Sequence, residues 1–188
     1  SVVNKYMDTY PVLSSLGEDM QEFYEKNQAM VNSSLLKGKP YTSVNGIIEI
    51  MNTAFSISSL VNAGTVEEFT GLFEEHADSL DIDITQEEYL AHKALICERL
   101  YGKLHNKEGV TRSDIEKEFR NSVIVAEFNT ADRLTIESIL IKYSSELGID
   151  VSTALYKNNK STINKAMTRN DVVYNEPEDI SQKYMEII

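Results

Sequence analysis

The sequence contains no tryptophan, three prolines and one cysteine among its 188 residues. One cysteine excludes an internal disulfide, and Cys97 lies in the apolar run KALICERL, which is typical of a small buried hydrophobic residue. No stretch approaches the roughly 18 uninterrupted apolar residues of a membrane span. The N-terminus has neither a basic flank nor a long apolar run, so no signal peptide is visible. We therefore expect an intracellular protein that does not cross a membrane.

The motifs of common enzyme chemistry are also missing. The sequence has no GxGxxG, Walker or GxSxG motif and no cysteine cluster. Glu88 and His92 lie one helical turn apart, which is typical of a solvated pair. Asp81 and Asp83 could bind a metal ion, but no third oxygen ligand lies nearby in the sequence. No metal-ligand spacing relates the three histidines His76, His92 and His105. We predict no enzyme, no cofactor and no metal; a scattered carboxylate and histidine site is the alternative.

Charge is unevenly distributed along this acidic chain, whose net charge is −12. Residues 65–98 contain ten acidic side chains and one lysine, whereas residues 151–170 contain four basic side chains and no acidic one. Either the two segments face each other within the fold, or each faces a different partner. The negative net charge opposes tight binding of phosphates, so we expect at most an auxiliary nucleic-acid contact near Tyr156 and Tyr174.

Apolar side chains recur at steps of three and four residues, and most glycines fall between these stretches. This pattern predicts an all-α fold, a compact multi-helix bundle with about eight helices and a short C-terminal helical tail. The first predicted helix spans 17–36 and ends before Gly38 and Pro40. The most apolar helix lies within 42–64, and we expect it to be central.

The predicted domain organisation is a helical domain over 1–175 and a tail over 176–188. A subdivision near 106–111 is the alternative. The tail contains EDISQKYMEII, in which Ile180 and Tyr184 lie at helical spacing. A helix this short is not stable alone, so it either docks on its own domain, which we favour, or folds into a groove on a partner.

Two similar strings, LDIDIT at 80–85 and LGIDVS at 147–152, are predicted to be corners between helices. Gly148 suits the left-handed conformation at a helix C-terminus, and Asp81 takes the same position less comfortably. Asp150 or Ser152 is expected to cap the helix that follows.

The stretch RLTIESILIKYSSELGIDVSTALYKNNKSTINKAMTRNDVV at 133–173 resembles the helical module of the late-transcription coactivators of T-even-type phages. KYSSELGID and STINKAM occupy the places of that module's helix end, corner and second helix. The family uses the module to bind the host RNA polymerase and an acidic tail with apolar terminal residues to bind the sliding clamp. EDISQKYMEII is similar to such a tail. Residues before Arg133 have no counterpart in the module, and the tail lacks the aromatic-leucine ending of the clamp motif.

The resemblance implies two groups of contact residues. The tail contact would be made by Tyr184, Met185, Ile187 and Ile188. The polymerase-facing or core cluster would consist of Ile139, Tyr143, Leu147, Ile149 and Leu155.

We predict a non-enzymatic adaptor or regulator, phage-encoded and acting in the bacterial cytoplasm on the host RNA polymerase or a replication or transcription complex. The alternatives are a structural or assembly component of the virion that forms a homo-oligomer, and an enzyme with a scattered site. The predicted partner-binding residues are Tyr156, Lys157, Lys160, Lys165, Tyr184, Met185, Ile187 and Ile188.

Overall fold

The computed structural model describes residues 18–37 and 43–188; Gly38 and Pro40, at the predicted end of the first helix, lie outside the described residues. These residues form eight α-helices and one 3-10 turn, and they contain no strand, so the all-α prediction is confirmed. The helices are α1 Glu18–Lys37, α2 Val44–Val61, α3 Val66–His76, α4 Glu87–Leu104, α5 Arg112–Thr130, α6 Ile136–Tyr143, α7 Ala154–Met167 and α8 Pro177–Ile187, with the 3-10 turn at Asp78–Leu80.

The chain divides into two compact units. Of the described residues, those up to Asp83 and Leu104–Glu116 form the first unit, and Ile84–Lys103 and Lys117–Ile188 form the second. Residues 176–188, which the sequence sets apart as a tail, belong to the second unit.

Helix α2 contacts α1, α3 and the 3-10 turn in the first unit. The rings of Phe23 on α1 and Phe55 on α2 meet edge to face, with centroids 5.1 Å apart. On the other side of α2, the Thr53 hydroxyl donates to the Ser79 carbonyl over 3.1 Å. The core between α1 and α2 consists of Phe23, Tyr24, Val31, Leu35, Met51 and Ala54.

Helix α2 is also the one helix among the described residues that is long and apolar enough to cross a bilayer, by length and composition alone. A single such helix is weak evidence, because the core helix of a soluble protein meets the same criteria. The absence of a membrane span therefore stays a prediction.

The start of α3 is stabilised by reciprocal capping. Thr65 Oγ1 accepts from the Glu68 amide over 3.1 Å, and the Glu68 carboxylate accepts from the Gly64 amide over 2.8 Å. Thr65 and Glu68 have the spacing of a capping box, here with the Gly64 amide as the second donor. These bonds satisfy backbone amides that have no partner within the helix.

In the second unit, residues of α5, α6, α7 and α8 and of the segments between them form an apolar core. The Phe128 ring meets the Tyr174 ring edge to face at a centroid distance of 6.0 Å. The buried residues of this core are Ile124, Phe128, Ile136, Ile139, Leu140, Tyr143, Leu147, Ile149, Tyr156, Ile163, Met167, Tyr174, Ile180 and Tyr184.

The corner between α6 and α7 begins as the sequence predicts and ends differently. Gly148 has φ +63, the left-handed conformation, and Asp81 has φ +58 at the corresponding place in the first unit. The expectation that Asp150 or Ser152 caps α7 is wrong, because Thr153 is the N-cap and its hydroxyl accepts from the Tyr156 amide. The Asp150 carboxylate instead accepts from the amide and hydroxyl of Ser152, which forms a turn before the helix.

Candidate partner-binding surface

Helix α8, predicted as a tail, packs on its own unit. Ile180 is fully buried, and the Tyr184 side chain is 2% exposed. The Ser181 hydroxyl donates to the Leu147 carbonyl over 2.7 Å, and the Tyr184 hydroxyl donates to the Asp150 carbonyl over 3.2 Å. Apolar burial and directed hydrogen bonds thus both attach α8 to the corner between α6 and α7.

The segment that leads into α8 is held by polar side chains. The Asn129 amide exchanges two hydrogen bonds of 2.8 Å with the backbone of Tyr174. Arg99 and Lys103 both pair with the Glu176 carboxylate, and Arg99 also donates to the Asn175 carbonyl over 3.1 Å. These contacts hold residues 174–176, just before α8, to side chains of α4 and α5.

The predicted tail contact is split between core and surface. Tyr184 stacks on Tyr156 with ring centroids 6.3 Å apart, and both side chains lie in the core of the second unit. Ile187 is partly buried against the same core. Met185 is 60% exposed and Ile188 is 40% exposed, so these two are the residues of the predicted tail contact that face solvent.

The predicted basic contact lies on α7, where two lysines face outward. Lys157 and Lys165 lie eight residues apart on one face of the helix, and both are exposed. Neither forms an ion pair with any residue in the part of the chain that the structure describes. Lys160 differs, because its ammonium group pairs with the Glu137 carboxylate of α6.

The inward side of α7 carries two buried polar atoms that accept or donate no hydrogen bond within the described part of the chain. The Tyr156 hydroxyl and Asn164 Oδ1 are buried, and neither has a hydrogen-bond partner among residues 18–37 and 43–188. Burial raises the pKa of Tyr156, and the negative charge of Glu137 raises it further. Most buried polar atoms in folded proteins have such partners, so these two stand out.

The cluster implied by the phage resemblance lies mostly in the core. The side chain of Leu155, on α7, is 48% exposed. The resemblance left open whether the cluster faces the polymerase or the core, and four of its members are buried: Ile139, Tyr143, Leu147 and Ile149.

Sequence reasoning missed a network of charged groups centred on Lys142. The Lys142 ammonium contacts Glu88 at 2.5 Å and Glu127 at 2.8 Å, and the Tyr143 hydroxyl donates to Glu127. Burial lowers the pKa of Lys142, but hydrogen bonds to Glu127 and Glu88 outweigh it and leave that pKa raised. Burial, with the bond to Glu127, raises the pKa of Tyr143 to about 12. Separations of 54 and 15 residues between the paired groups leave no local signal in the sequence.

Members of the two residue pairs considered as chemical sites, Glu88 with His92 and Asp81 with Asp83, form contacts within the fold. The hydrogen bond from Lys142 lowers the pKa of Glu88. His92 has non-helical backbone angles, φ −124 and ψ 18, and lines a cavity of about 310 Å³ with Glu88. Asp81 forms an ion pair with Arg112 at 2.5 Å. No group of three or more His, Cys, Asp or Glu side chains within the described ranges could hold a metal ion.

A groove of about 680 Å³ lies beside the segment that leads into α8. Leu95 and Val173 line it and are 45% and 69% exposed, while Val125 and Ala126 contribute buried apolar surface. Arg99 is among the polar lining residues. Together with Met185 and Ile188, this groove adds exposed apolar surface to the second unit.

No family model, curated protein or solved structure matches this chain.

Proposed function

We propose that the protein is a non-enzymatic adaptor or regulator that binds another protein through the outward face of α7. The observation that carries the proposal is the pair of exposed lysines without ion pairs among the described residues, Lys157 and Lys165, on a chain whose net charge is −12. Positive charge concentrated on one helix of an acidic protein favours a partner with a complementary acidic surface.

A protein partner fits this surface better than a nucleic acid. A polynucleotide presents a phosphate at every residue, so the negative charge of the remaining chain would oppose its approach. A folded protein partner can present a local acidic patch and leave the rest of its surface neutral. Exposed apolar side chains such as Leu155 and Met185 add contacts that are typical of protein interfaces.

The resemblance of 133–173 supports a narrower proposal in which the partner is the RNA polymerase of a bacterial host. Leu155 is the member of the implied cluster that is exposed, and it belongs to the same helix as the lysines. The sliding clamp is the partner proposed for the exposed side of α8, which carries Met185 and Ile188.

Purified bacterial RNA polymerase core enzyme and a sliding clamp provide the direct test, with binding measured by biolayer interferometry. The α7 variant is Lys157→Glu with Lys165→Glu, and its control, Lys107→Glu with Lys117→Glu, makes the same charge change at exposed lysines elsewhere. Lys160 is left unchanged because its reversal would also disrupt the pair with Glu137.

The α8 variant is Met185→Glu with Ile188→Glu. It replaces deletion of the tail, which would remove Ile180 and Tyr184 from the core. Loss of polymerase binding in the α7 variant alone, or of clamp binding in the α8 variant alone, supports the narrower proposal. Equal binding by all variants, or no binding by the unaltered protein, contradicts it.

A further inference from the structure

The Tyr156 hydroxyl is buried without a hydrogen-bond partner among the described residues, although a carboxylate acts on it electrostatically. The side chain is 3% exposed and lies in the core of the second unit. An unpaired buried hydroxyl is costly, so any nearby acceptor that becomes free gains by bonding to it.

Glu137 is the carboxylate whose charge acts on the Tyr156 hydroxyl, and in this structure it is paired with Lys160. Lys160 follows Tyr156 by one turn of α7, and its partner Glu137 lies in the first turn of α6. The lysine and glutamate side chains are 44% and 35% exposed. Ion pairs at such exposure contribute little to stability and are readily replaced by other partners.

We propose that Glu137 is an exchangeable acceptor, which holds Lys160 in the free protein and the Tyr156 hydroxyl once a carboxylate of a protein partner binds Lys160. The inference rests on the proposed function, because it assumes that α7 binds an acidic protein segment. The new bond between Tyr156 and Glu137 offsets the loss of the original ion pair. Lys160 thereby becomes available to the partner at a small cost in free energy. Partner binding also changes the hydrogen bonding of Tyr156, which stacks on Tyr184 in the core.

The exchange is tested without any partner by combining Tyr156→Phe with Lys160→Gln. In the unaltered background the hydroxyl has no partner among the described residues, so Tyr156→Phe leaves the melting temperature unchanged or raises it. With Lys160→Gln, Glu137 is free to accept from Tyr156, and the same Tyr156→Phe change lowers the melting temperature by about 2–4 °C. Whether Tyr156→Phe lowers the melting temperature thus depends on the residue at position 160, one helical turn away.

Two controls separate this exchange from general effects on α7. Lys157→Gln removes the same charge from the same helix. In the Lys157→Gln background, Tyr156→Phe should change the melting temperature as it does in the unaltered protein. Adding Glu137→Ala to Lys160→Gln removes the acceptor and abolishes the penalty. An effect of Tyr156→Phe that is the same in every background overturns the exchange.

A second experiment tests the acidic partner itself, with a fluorescein-labelled glutamate decapeptide as the probe and anisotropy as the readout. Binding that Lys157→Glu with Lys165→Glu abolishes supports the acidic partner. A two- to tenfold weaker affinity for Tyr156→Phe supports the exchange, since roughly that factor corresponds to one hydrogen bond. Absence of peptide binding overturns the acidic partner and the proposed function, whereas unchanged affinity in Tyr156→Phe overturns only the exchange. Tighter binding of a single-stranded oligonucleotide of equal charge overturns the choice of a protein.

Discussion

Asn129 on α5 and Tyr174, ahead of α8, form a closed pair of hydrogen bonds: the side-chain amide donates to the carbonyl, and its oxygen accepts from the backbone N–H, each over 2.8 Å. The Asn129 side chain thus bonds to both backbone groups of a residue 45 positions away, as the backbone of a neighbouring β-strand would. The backbone of Tyr174 is thereby satisfied at the place where the chain turns toward α8.

Replacement of Asn129 by alanine is expected to destabilise the protein by about 1–3 kcal/mol, because the two backbone groups of Tyr174 lose their partner. The free energy of unfolding is measured by urea denaturation, followed by circular dichroism. Asn158→Ala, at an exposed position on α7, is the control and should change stability by less than about 0.5 kcal/mol. Equal effects of the two substitutions would show that the paired bonds contribute nothing.

Two glycine-to-alanine substitutions are expected to act in opposite directions. Gly148 has φ +63, so Gly148→Ala should cost about 1 kcal/mol even though a Cβ would meet nothing within 4 Å. Gly71 lies within α3, where a Cβ also has open space, so Gly71→Ala should stabilise by about 0.5–1 kcal/mol. Thermal melts of both variants provide the measurement, and a stabilised Gly148→Ala would refute the left-handed corner.

The attachment of α8 predicts a large contrast between two of its apolar residues. Ile180→Ala creates a cavity in the core of the second unit and should cost about 2–5 kcal/mol. Met185→Ala, at an exposed side chain, should change stability by less than about 0.5 kcal/mol. Urea denaturation compares them; if Ile180→Ala were as mild as Met185→Ala, α8 would not be part of the core.

Stability is expected to fall as the pH rises from 10 to about 12, through the ionisation of Tyr143. The pKa of Tyr143 is raised from 10 to about 12 in the folded state, mainly by burial. Between these values the unfolded chain has lost the phenolic proton and the folded chain retains it, so the stabilisation present below pH 10 is progressively lost.

Tyr143→Phe should make the alkaline decline in melting temperature less steep and should remove one tyrosine that ionises late in a titration at 295 nm. Tyr101→Phe, at a half-buried tyrosine of α4, is the matched control. If both variants lose stability with the same alkaline slope as the unaltered protein, Tyr143 does not retain its proton.

Much of the fold could be predicted from local patterns. The three-and-four spacing of apolar residues placed the first helix at 17–36, against Glu18–Lys37 in the structure. Gly148 and Asp81 were expected to be left-handed, and both are. These features depend on a few neighbouring residues, which is why one sequence suffices to predict them.

The arrangement around α8 could not be predicted in the same way. An amphipathic helix shows the same apolar face whether it docks on its own chain or on a partner. The sequence pattern therefore does not decide whether Tyr184 packs on its own domain or on a partner. The capping residue of α7 was misassigned because Asp150, Ser152 and Thr153 are all good caps, and only the geometry of the turn selects Thr153. The pairing of Asn129 with Tyr174 has no local signal at all.

Binding of an acidic protein by the outward lysines of α7 is measured by affinity capture from a bacterial lysate, followed by mass spectrometry. The unaltered protein, Lys157→Glu with Lys165→Glu, and the control Lys107→Glu with Lys117→Glu are compared at equal loading. We expect stoichiometric recovery of an acidic protein by the unaltered and control proteins and its loss from the α7 variant. Identical recoveries from all three, or recovery of the bait alone, would show that these lysines do not bind an acidic protein.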